Sequence, residues 1–298
     1  MSEALKVGVA GLGTVGASVV RLLAAQKDAI ARRAGRRVEV VAVSARDRAR
    51  DRGIDLSRYA WHDDPVALAG EPAVDVVVEV IGGDNGPAED TVRAALSAGK
   101  PVVTANKALL ARIGVELARL AEEKGAGIGF EAAVAGGIPV IKTLREALAG
   151  NRITRVMGIL NGTCNYILTR MEEEGLDFEE CLKEAQRLGY AEADPTFDIG
   201  GHDSAHKLAI LSGMAFSTEI DAEAIHLEGI ETITAADIAA AEELGYRIKL
   251  LGVARRTETG VEQRVTPTML PKESALANVK GVLNAVAIDG DAVGEVML

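Results

Sequence analysis

Apolar residues follow two different rhythms along the chain. Leu5–Ala10 is an almost unbroken apolar run, and residues 17–25 repeat apolar side chains at the spacing of a helix face, with Gly11-Leu12-Gly13-Thr14-Val15-Gly16 between them. The first pattern predicts a strand buried on both faces and the second a helix. Further β-rich runs at 38–43, 74–81 and 102–103 alternate with helical spacing at 90–98, stopped by Gly99 and Pro101, and at 106–123. Residues 127–130 close the series. Strands that alternate with helices predict parallel βαβ units with right-handed crossovers.

The rhythm changes after about Pro139. Helical segments are expected near 138–149, 162–174, 178–188 and 203–216, a strand at 153–160, and later strands at 246–256, 261–269 and 282–288. Alternation such as Val261, Gln263, Val265 suits strands with one face against helices. The expected fold is α/β, a parallel-sheet domain over 1–138 followed by an α+β domain over 139–298.

Composition narrows the function classes. At 298 residues the chain can bury most of its apolar surface without staples. Its two cysteines, Cys164 and Cys181, are too few for a disulfide scaffold or a cysteine-held structural zinc, and they fit a reducing cytoplasm. Acidic residues outnumber basic ones 44 to 33, and no long basic run is present, so nucleic-acid binding is not expected. No apolar stretch reaches the ~18–20 residues of a membrane helix, and Met1-Ser2-Glu3 lacks the features of a secretory signal. With aromatics at 3%, the core falls to Val, Ile, Leu and Ala.

Gly11, Gly13 and Gly16 fit G-x-G-x-x-G between the first strand and first helix, the arrangement that binds a dinucleotide. Gly11 suits the tight turn, Gly13 the approach of a pyrophosphate, and Gly16 close helix–strand packing, while the helix start at Thr14 and Val15 offers free N–H groups to phosphate. The second strand leads to Ser44-Ala45-Arg46-Asp47, with Ser44 and Arg46 where an NAD enzyme usually carries an acid. A hydroxyl and a guanidinium suit a 2′-phosphate, which favours NADP, with NAD still open. The alternative is that Arg46, Arg48, Arg50 and Arg52 only form a solvated helix face.

Two lysines stand where lysines are costly. Lys107 follows Thr104-Ala105-Asn106 at the carboxyl end of a parallel strand, the rim where open α/β sheets bind ligands. Asp203 and Lys207 are spaced i, i+4 on a helix that is apolar on both sides, so the ammonium needs its carboxylate. Upstream, Glu192, Asp194 and Asp198, punctuated by Pro195 and Gly200-Gly201, are expected to form a rigid acidic loop that could grip an amino acid's ammonium group.

These residues resemble homoserine dehydrogenase through nearly the whole chain. The shared blocks are 11–16, Thr-Ala-Asn-Lys at 104–107, Glu-Ala-Ala-Val-Ala-Gly-Gly-Ile-Pro at 131–139, Gly-Ile-Leu-Asn-Gly-Thr-Cys-Asn-Tyr-Ile-Leu at 158–168, Gly-Tyr-Ala-Glu-Ala-Asp-Pro-Thr at 189–196 and Asp-Ile-Gly-Gly-His-Asp-Ser-Ala-His-Lys at 198–207. The resemblance implies a Rossmann-type nucleotide domain, an α+β catalytic and dimerisation domain, and reversible hydride transfer between NAD(P)H and L-aspartate 4-semialdehyde, giving L-homoserine for threonine, methionine and isoleucine synthesis. It implies catalytic roles for Lys107, Lys207, Asp203 and Glu192, and an amino-acid site at Gly162, Thr163, Tyr190 and Asp198. The cofactor would lie on Gly11, Gly13, Thr14, Val15, Gly16, Ser44, Arg46, Thr104 and Lys107. A monovalent cation, usually sodium, would sit on Glu131 and the carbonyls of Val134, Gly136 and Ile138, and the chain would form a homodimer.

Aldehyde reduction places negative charge on oxygen, which calls for a cation or acid there. Lys207 or Lys107 is expected to supply the proton, Asp203 to orient Lys207, and Glu192 with Asp198 to bind the substrate ammonium or a bridging water. His202 and His206 are expected to be local contacts. Family members continue beyond the Gly-Glu-Val-Met-Leu at 294–298 into a Gly-Pro-Gly-Ala-Gly stretch and a returning helix, so this sequence is expected to lack that segment and any C-terminal regulatory module. Rival readings are a catalytically silent NADP-sensing module and a dehydrogenase of aspartate itself.

Overall fold

The structure, a computed structural model, describes residues 3–298 and divides into two compact units, one up to Ala133 and one from Val134. The division falls a few residues before the 138/139 boundary suggested by the change of rhythm. Buried Val134 and Ala135 belong with the turn in which the Ile138 amide donates to the Ala135 carbonyl at 2.7 Å.

The first unit runs β1 (Leu5–Ala10), α1 (Thr14–Ala25), α2 (Lys27–Ala34), β2 (Val38–Ser44), β3 (Ala60–His62), α3 (Pro65–Gly70), β4 (Val76–Glu79), α4 (Pro87–Ser97), β5 (Val102–Thr104), α5 (Lys107–Lys124) and β6 (Ile128–Gly129). All six strands are parallel, in the order β3-β2-β1-β4-β5-β6. That order reverses direction between β1 and β4, and the reversal opens a crevice at the carboxyl ends of the strands. Val7, Val9, Leu12, Val20 and Val43 form a core under α1, as the near-continuous apolar runs require. The sequence pattern misses β3, α2 and α3. No helix forms over 46–52, which corrects the reading of those arginines as a helix face.

The second unit opens with a short turn, α6 (Val140–Lys142), which widens into a π-type turn over Thr143–Ala147, less regular than the helical segment expected at 138–149. It continues through β7 (Ile153–Ile159), α7 (Gly162–Glu174), α8 (Phe178–Arg187), α9 (Thr196–Ile199), α10 (His202–Phe216), β8 (His226–Leu227), α11 (Ala235–Glu243), β9 (Tyr246–Arg256), β10 (Val261–Pro271), β11 (Ala285–Gly290) and β12 (Gly294–Met297). The acidic stretch expected as a loop therefore contains one helical turn, α9, closed by Gly200. Six strands form a mixed sheet ordered β12-β11-β7-β9-β10-β8. α10 packs on β7, β9 and β10. Its approach depends on Gly158 and Gly252, which pair across β7 and β9. A Cβ at Gly252 would lie 3.0 Å from Leu160 and 3.4 Å from Leu208, so larger residues here would push the helix off the sheet.

Lys249, on β9, is buried, and among the described residues no carboxylate is hydrogen-bonded to it. Its ammonium donates to Asn165 Oδ1 at 2.9 Å and to the Val279 carbonyl at 2.8 Å, and burial pushes its pKa from 10.5 down to about 8. The unfolded chain thus binds the proton more tightly than the folded one. Stability attributable to this residue is lowest below pH 8 and rises as the pH climbs toward 10.5. In chemical denaturation from pH 7 to 10, wild type should gain about 2–3 kcal/mol relative to Lys249→Met. A pH-independent difference between the two would contradict this assignment.

Candidate active site

The crevice of the first unit is a cleft of about 680 Å³ whose lining includes Gly11–Gly13, Ser44–Asp47 and Val80–Gly82. The tight turn after β1 fixes its floor. Gly11 has φ +99°, and a Cβ there would lie 2.5 Å from the Val80 carbonyl oxygen. A Cβ at Gly16 would fall 1.8 Å from the Gly11 carbonyl oxygen, whereas one at Gly13 meets nothing within 4 Å. The three glycines thus do different work: two are excluded sterically from being anything larger, and Gly13 keeps the approach to the start of α1 open. That helix start carries no acidic residue and no side-chain cap, and Thr14 and Val15 are exposed, which leaves its first N–H groups to an anion.

Beside this turn, Arg52 spends its donors on the backbone: Nε to the Leu12 carbonyl at 3.0 Å, Nη1 to Arg50 at 2.7 Å and Nη2 to Asp47 at 2.6 Å. It ties the loop after β2 to the glycine turn. Arg48 lies over the Trp61 ring at 5.6 Å. Arg46 and Arg50 also line the cleft, while Ser44 lines it as a buried strand terminus whose carbonyl accepts the Gly11 amide at 2.9 Å.

Across the reversal point sits a residue that the sequence pattern does not single out. Glu79, the last residue of β4, is fully buried. One carboxylate oxygen accepts the Ile81 amide at 2.8 Å and the Gly82 amide at 3.3 Å, and the other accepts the Thr104 hydroxyl at 2.6 Å. Thr104, 1% exposed, in turn accepts the Asn106 amide at 2.9 Å. Asn106 caps α5 by accepting the Leu109 amide at 3.1 Å, so Lys107 is the first residue of that helix and half-buried.

In the second unit the head of α10 gathers charged side chains. Lys207 Nζ donates to Asp203 Oδ2 at 2.7 Å and to the Leu160 carbonyl at 2.7 Å. The sequence reading of an i, i+4 pair on a buried helix agrees with this geometry, since the Lys207 side chain is only 16% exposed and that of Asp203 7%. Asn161, absent from the predicted set, joins the acids. Its Nδ2 donates to Asp198 Oδ1 at 2.8 Å and Asp203 Oδ2 at 3.0 Å, and its Oδ1 caps α7 at the Cys164 amide. One amide side chain therefore fixes two carboxylates and a helix start; its signal in the sequence was the position directly before a helix.

Gly162 and Thr163 are the first two residues of α7, and the Thr163 hydroxyl donates to the Tyr190 carbonyl at 2.6 Å. The Tyr190 ring packs on Tyr166 with centroids 5.0 Å apart. Glu192 stays apart from this group: it is exposed, and only its backbone carbonyl has a partner, Gln186, among the described residues. Cys164 is a buried thiol donating to the Asp198 carbonyl at 3.2 Å, and burial, followed by the nearby Asp198 and Asp203 charges, raises its pKa well above the usual 9. It stays protonated and is no nucleophile. His202 stacks on Phe197 and His206 meets that ring edge-on, in keeping with local roles. Among the described residues no cluster of His, Cys, Asp or Glu could hold a metal ion.

Comparison with known proteins decides the family. The family model "Homoserine dehydrogenase, NAD binding domain" matches residues 11–131, and the model "Homoserine dehydrogenase" matches 139–298. The chain belongs to the homoserine dehydrogenase family. A homoserine dehydrogenase of Pseudomonas aeruginosa is 52% identical over 293 residues, covering 98% of this chain and 67% of that protein. The crystal structure of a homoserine dehydrogenase from Thiobacillus denitrificans superposes with a TM-score of 0.95 at 49% identity, covering 99% of this chain and 68% of the other. A hyperthermophilic archaeal homoserine dehydrogenase solved with NADPH gives a TM-score of 0.83 at 27% identity, covering 99% and 91%. The chain thus spans about two thirds of the length of the first two relatives. As a homoserine dehydrogenase it is an NAD(P)-dependent oxidoreductase interconverting L-homoserine and L-aspartate 4-semialdehyde, and its glycine turn and cleft suit a dinucleotide. Among the described residues no helix is long and apolar enough to cross a membrane.

The glycine contrasts give a direct test. Gly16→Ala should cost about 2–3 kcal/mol or more in denaturation, because backbone must move. Gly13→Ala should unfold at the wild-type midpoint yet weaken NADPH binding about tenfold in a fluorescence titration, since its methyl group would occupy the phosphate approach. Equal effects of the two on stability would contradict the distinction.

Proposed function

We propose that Lys207 is the group that transfers a proton to and from the substrate oxygen during homoserine–aspartate semialdehyde interconversion. The carrying observation is the ammonium's bonding: of its three N–H donors, one is directed to Asp203 and one to the Leu160 carbonyl, leaving one for a ligand. When bound, the nicotinamide supplies or takes up the hydride at the carbonyl carbon. In the reducing direction the Lys207 ammonium stabilises the developing alkoxide and gives it a proton. In the oxidising direction the neutral amine takes the hydroxyl proton. Asp203 holds the amine in place, and Lys107 is assigned a second catalytic positive charge on the family resemblance.

Gly162 and Thr163, at the start of α7, together with Tyr190, suit the amino-acid end of the substrate, and Asp198 suits its ammonium. The exposed carboxylate of Glu192 is assigned to the same ammonium or to a bridging water, a role supported by the family resemblance rather than by a contact. NADP is the preferred cofactor on this reading, because Arg46 and Arg50 line the cleft where no acid from β2 opposes a 2′-phosphate. A monovalent cation, sodium for preference, is assigned on the family resemblance to the carbonyls of Val134, Gly136 and Ile138. The Val134 and Gly136 carbonyls accept no backbone hydrogen bond among the described residues, and the cation would hold this bend in one shape. A homodimer in the cytoplasm completes the proposal, supported by exposed apolar residues Met269, Leu283, Val293 and Met297 and by the buried free thiols.

Lys207→Ala and Lys107→Ala should each reduce homoserine oxidation about 10³-fold in a spectrophotometric assay, with NADPH affinity retained by Lys207→Ala. Wild-type turnover by either variant would refute the role assigned to that lysine. Arg46→Ala should lower the preference for NADP over NAD about tenfold in kcat/KM, as loss of one charge-assisted bond to a phosphate requires. An unchanged ratio would remove Arg46 from the cofactor site.

A further inference from the structure

We propose that Glu79 is a positioning residue that couples the cofactor cleft to Lys107. The inference rests on Lys107 acting in the reaction, as proposed above.

Glu79 lies at the reversal point of the sheet, paired with Ala10 on β1 and with Thr104 on β5. Its surroundings would suit a valine, like the three residues before it in β4. A fully buried carboxylate there is costly unless its bonds are needed. The bonds it makes form a closed ring. From Glu79 the ring passes through the Ile81 and Gly82 amides, along the chain to the Gly83 carbonyl, which accepts from Asn106 Nδ2 at 2.6 Å, and back through Asn106 N and Thr104 Oγ1. One side of the ring, Ile81 and Gly82, lines the nucleotide cleft. Gly82 and Gly83 both have φ +85°, so this turn has little conformational preference of its own and depends on external bonds for its shape. The opposite side, Thr104 and Asn106, sets the first residue of α5. Lys107 directly follows Asn106, and its backbone amide donates to the Ala105 carbonyl at 3.1 Å.

A shift of the cleft turn is therefore transmitted by the carboxylate to the residue preceding the lysine. Glu79 itself is shielded from solvent and reaches Lys107 only through Thr104 and Asn106. The same ring accounts for the Thr104 hydroxyl: it donates to Glu79 and accepts from Asn106, so it serves the turn and not the nucleotide.

The test uses Thr104→Val, Thr104→Ser and Glu79→Gln in the full chain, read by kcat, KM for homoserine, NADPH dissociation constant and melting temperature. Thr104→Val keeps the shape of the side chain and severs the ring on the Lys107 side. It should lower kcat about 10-fold or more while leaving homoserine KM and NADPH affinity within about twofold, and Thr104→Ser should restore kcat. Glu79→Gln cannot accept on both atoms, so it should lower kcat similarly and also weaken NADPH about fivefold. The double variant should be no worse than the poorer single one, as expected for two links of one chain. A Thr104→Val enzyme with wild-type kcat overturns the inference, and so does a kcat loss that serine fails to restore. A loss confined to NADPH affinity makes Thr104 a direct cofactor contact and also overturns it. Should Thr104→Val be too unstable to purify, Glu79→Gln with wild-type kcat is the refuting result. If Lys107→Ala is inactive and these variants are normal, only the coupling fails; if Lys107→Ala is fully active, the proposed function fails first.

Discussion

Lys207 places an ammonium group near the head of a largely buried helix, and the second unit is arranged around holding it in one position. α10 packs against the sheet, and it can come close because Gly158 and Gly252 leave the strands beneath without side chains. The ammonium then meets Asp203 from its own helix and a carbonyl from the end of β7. Neither partner suffices alone. A buried carboxylate left to one lysine would be under-bonded, and Asn161 supplies the additional donor while fixing the start of α7.

The first unit meets a different constraint, close approach without charge. Strand order reverses between β1 and β4, and the glycine turn fills the gap with backbone so that phosphate can reach N–H groups directly. Arg52 also lines the cleft, but three of its donors go to backbone carbonyls, and its effect is to hold the loop carrying Arg46 and Arg50 beside that turn. A stretch that looks uniformly basic in sequence thus separates into a brace, a ring contact and two cleft residues.

Much of this was legible in the residues. Runs rich in apolar and β-branched residues marked β1, β2, β4, β7 and β9, and G-x-G-x-x-G with its flanking strand and helix located the nucleotide turn. The i, i+4 spacing of Asp203 and Lys207 on an apolar helix anticipated their pairing. Short edge strands escaped notice, because the three residues of β3 and the two of β8 cannot display a period. α11 had a readable signal in its Thr234–Asp237 capping box. Glu79 and Asn161 were hidden for a physical reason: each gains its role from partners distant in sequence, and a lone glutamate after three valines looks like the end of a strand rather than the hub of a ring. Glu192 shows the converse, a residue prominent in the family motif whose carboxylate makes no hydrogen bond or ion pair among the described residues.

The burial of most of α10 carries one more consequence. A helix with so little exposed surface gains little from forming in isolation, so its stability comes from the surrounding unit. The Lys207–Asp203 pair depends on that packing, so loosening of the second unit takes the pair apart without any change being required in the nucleotide turn of the first.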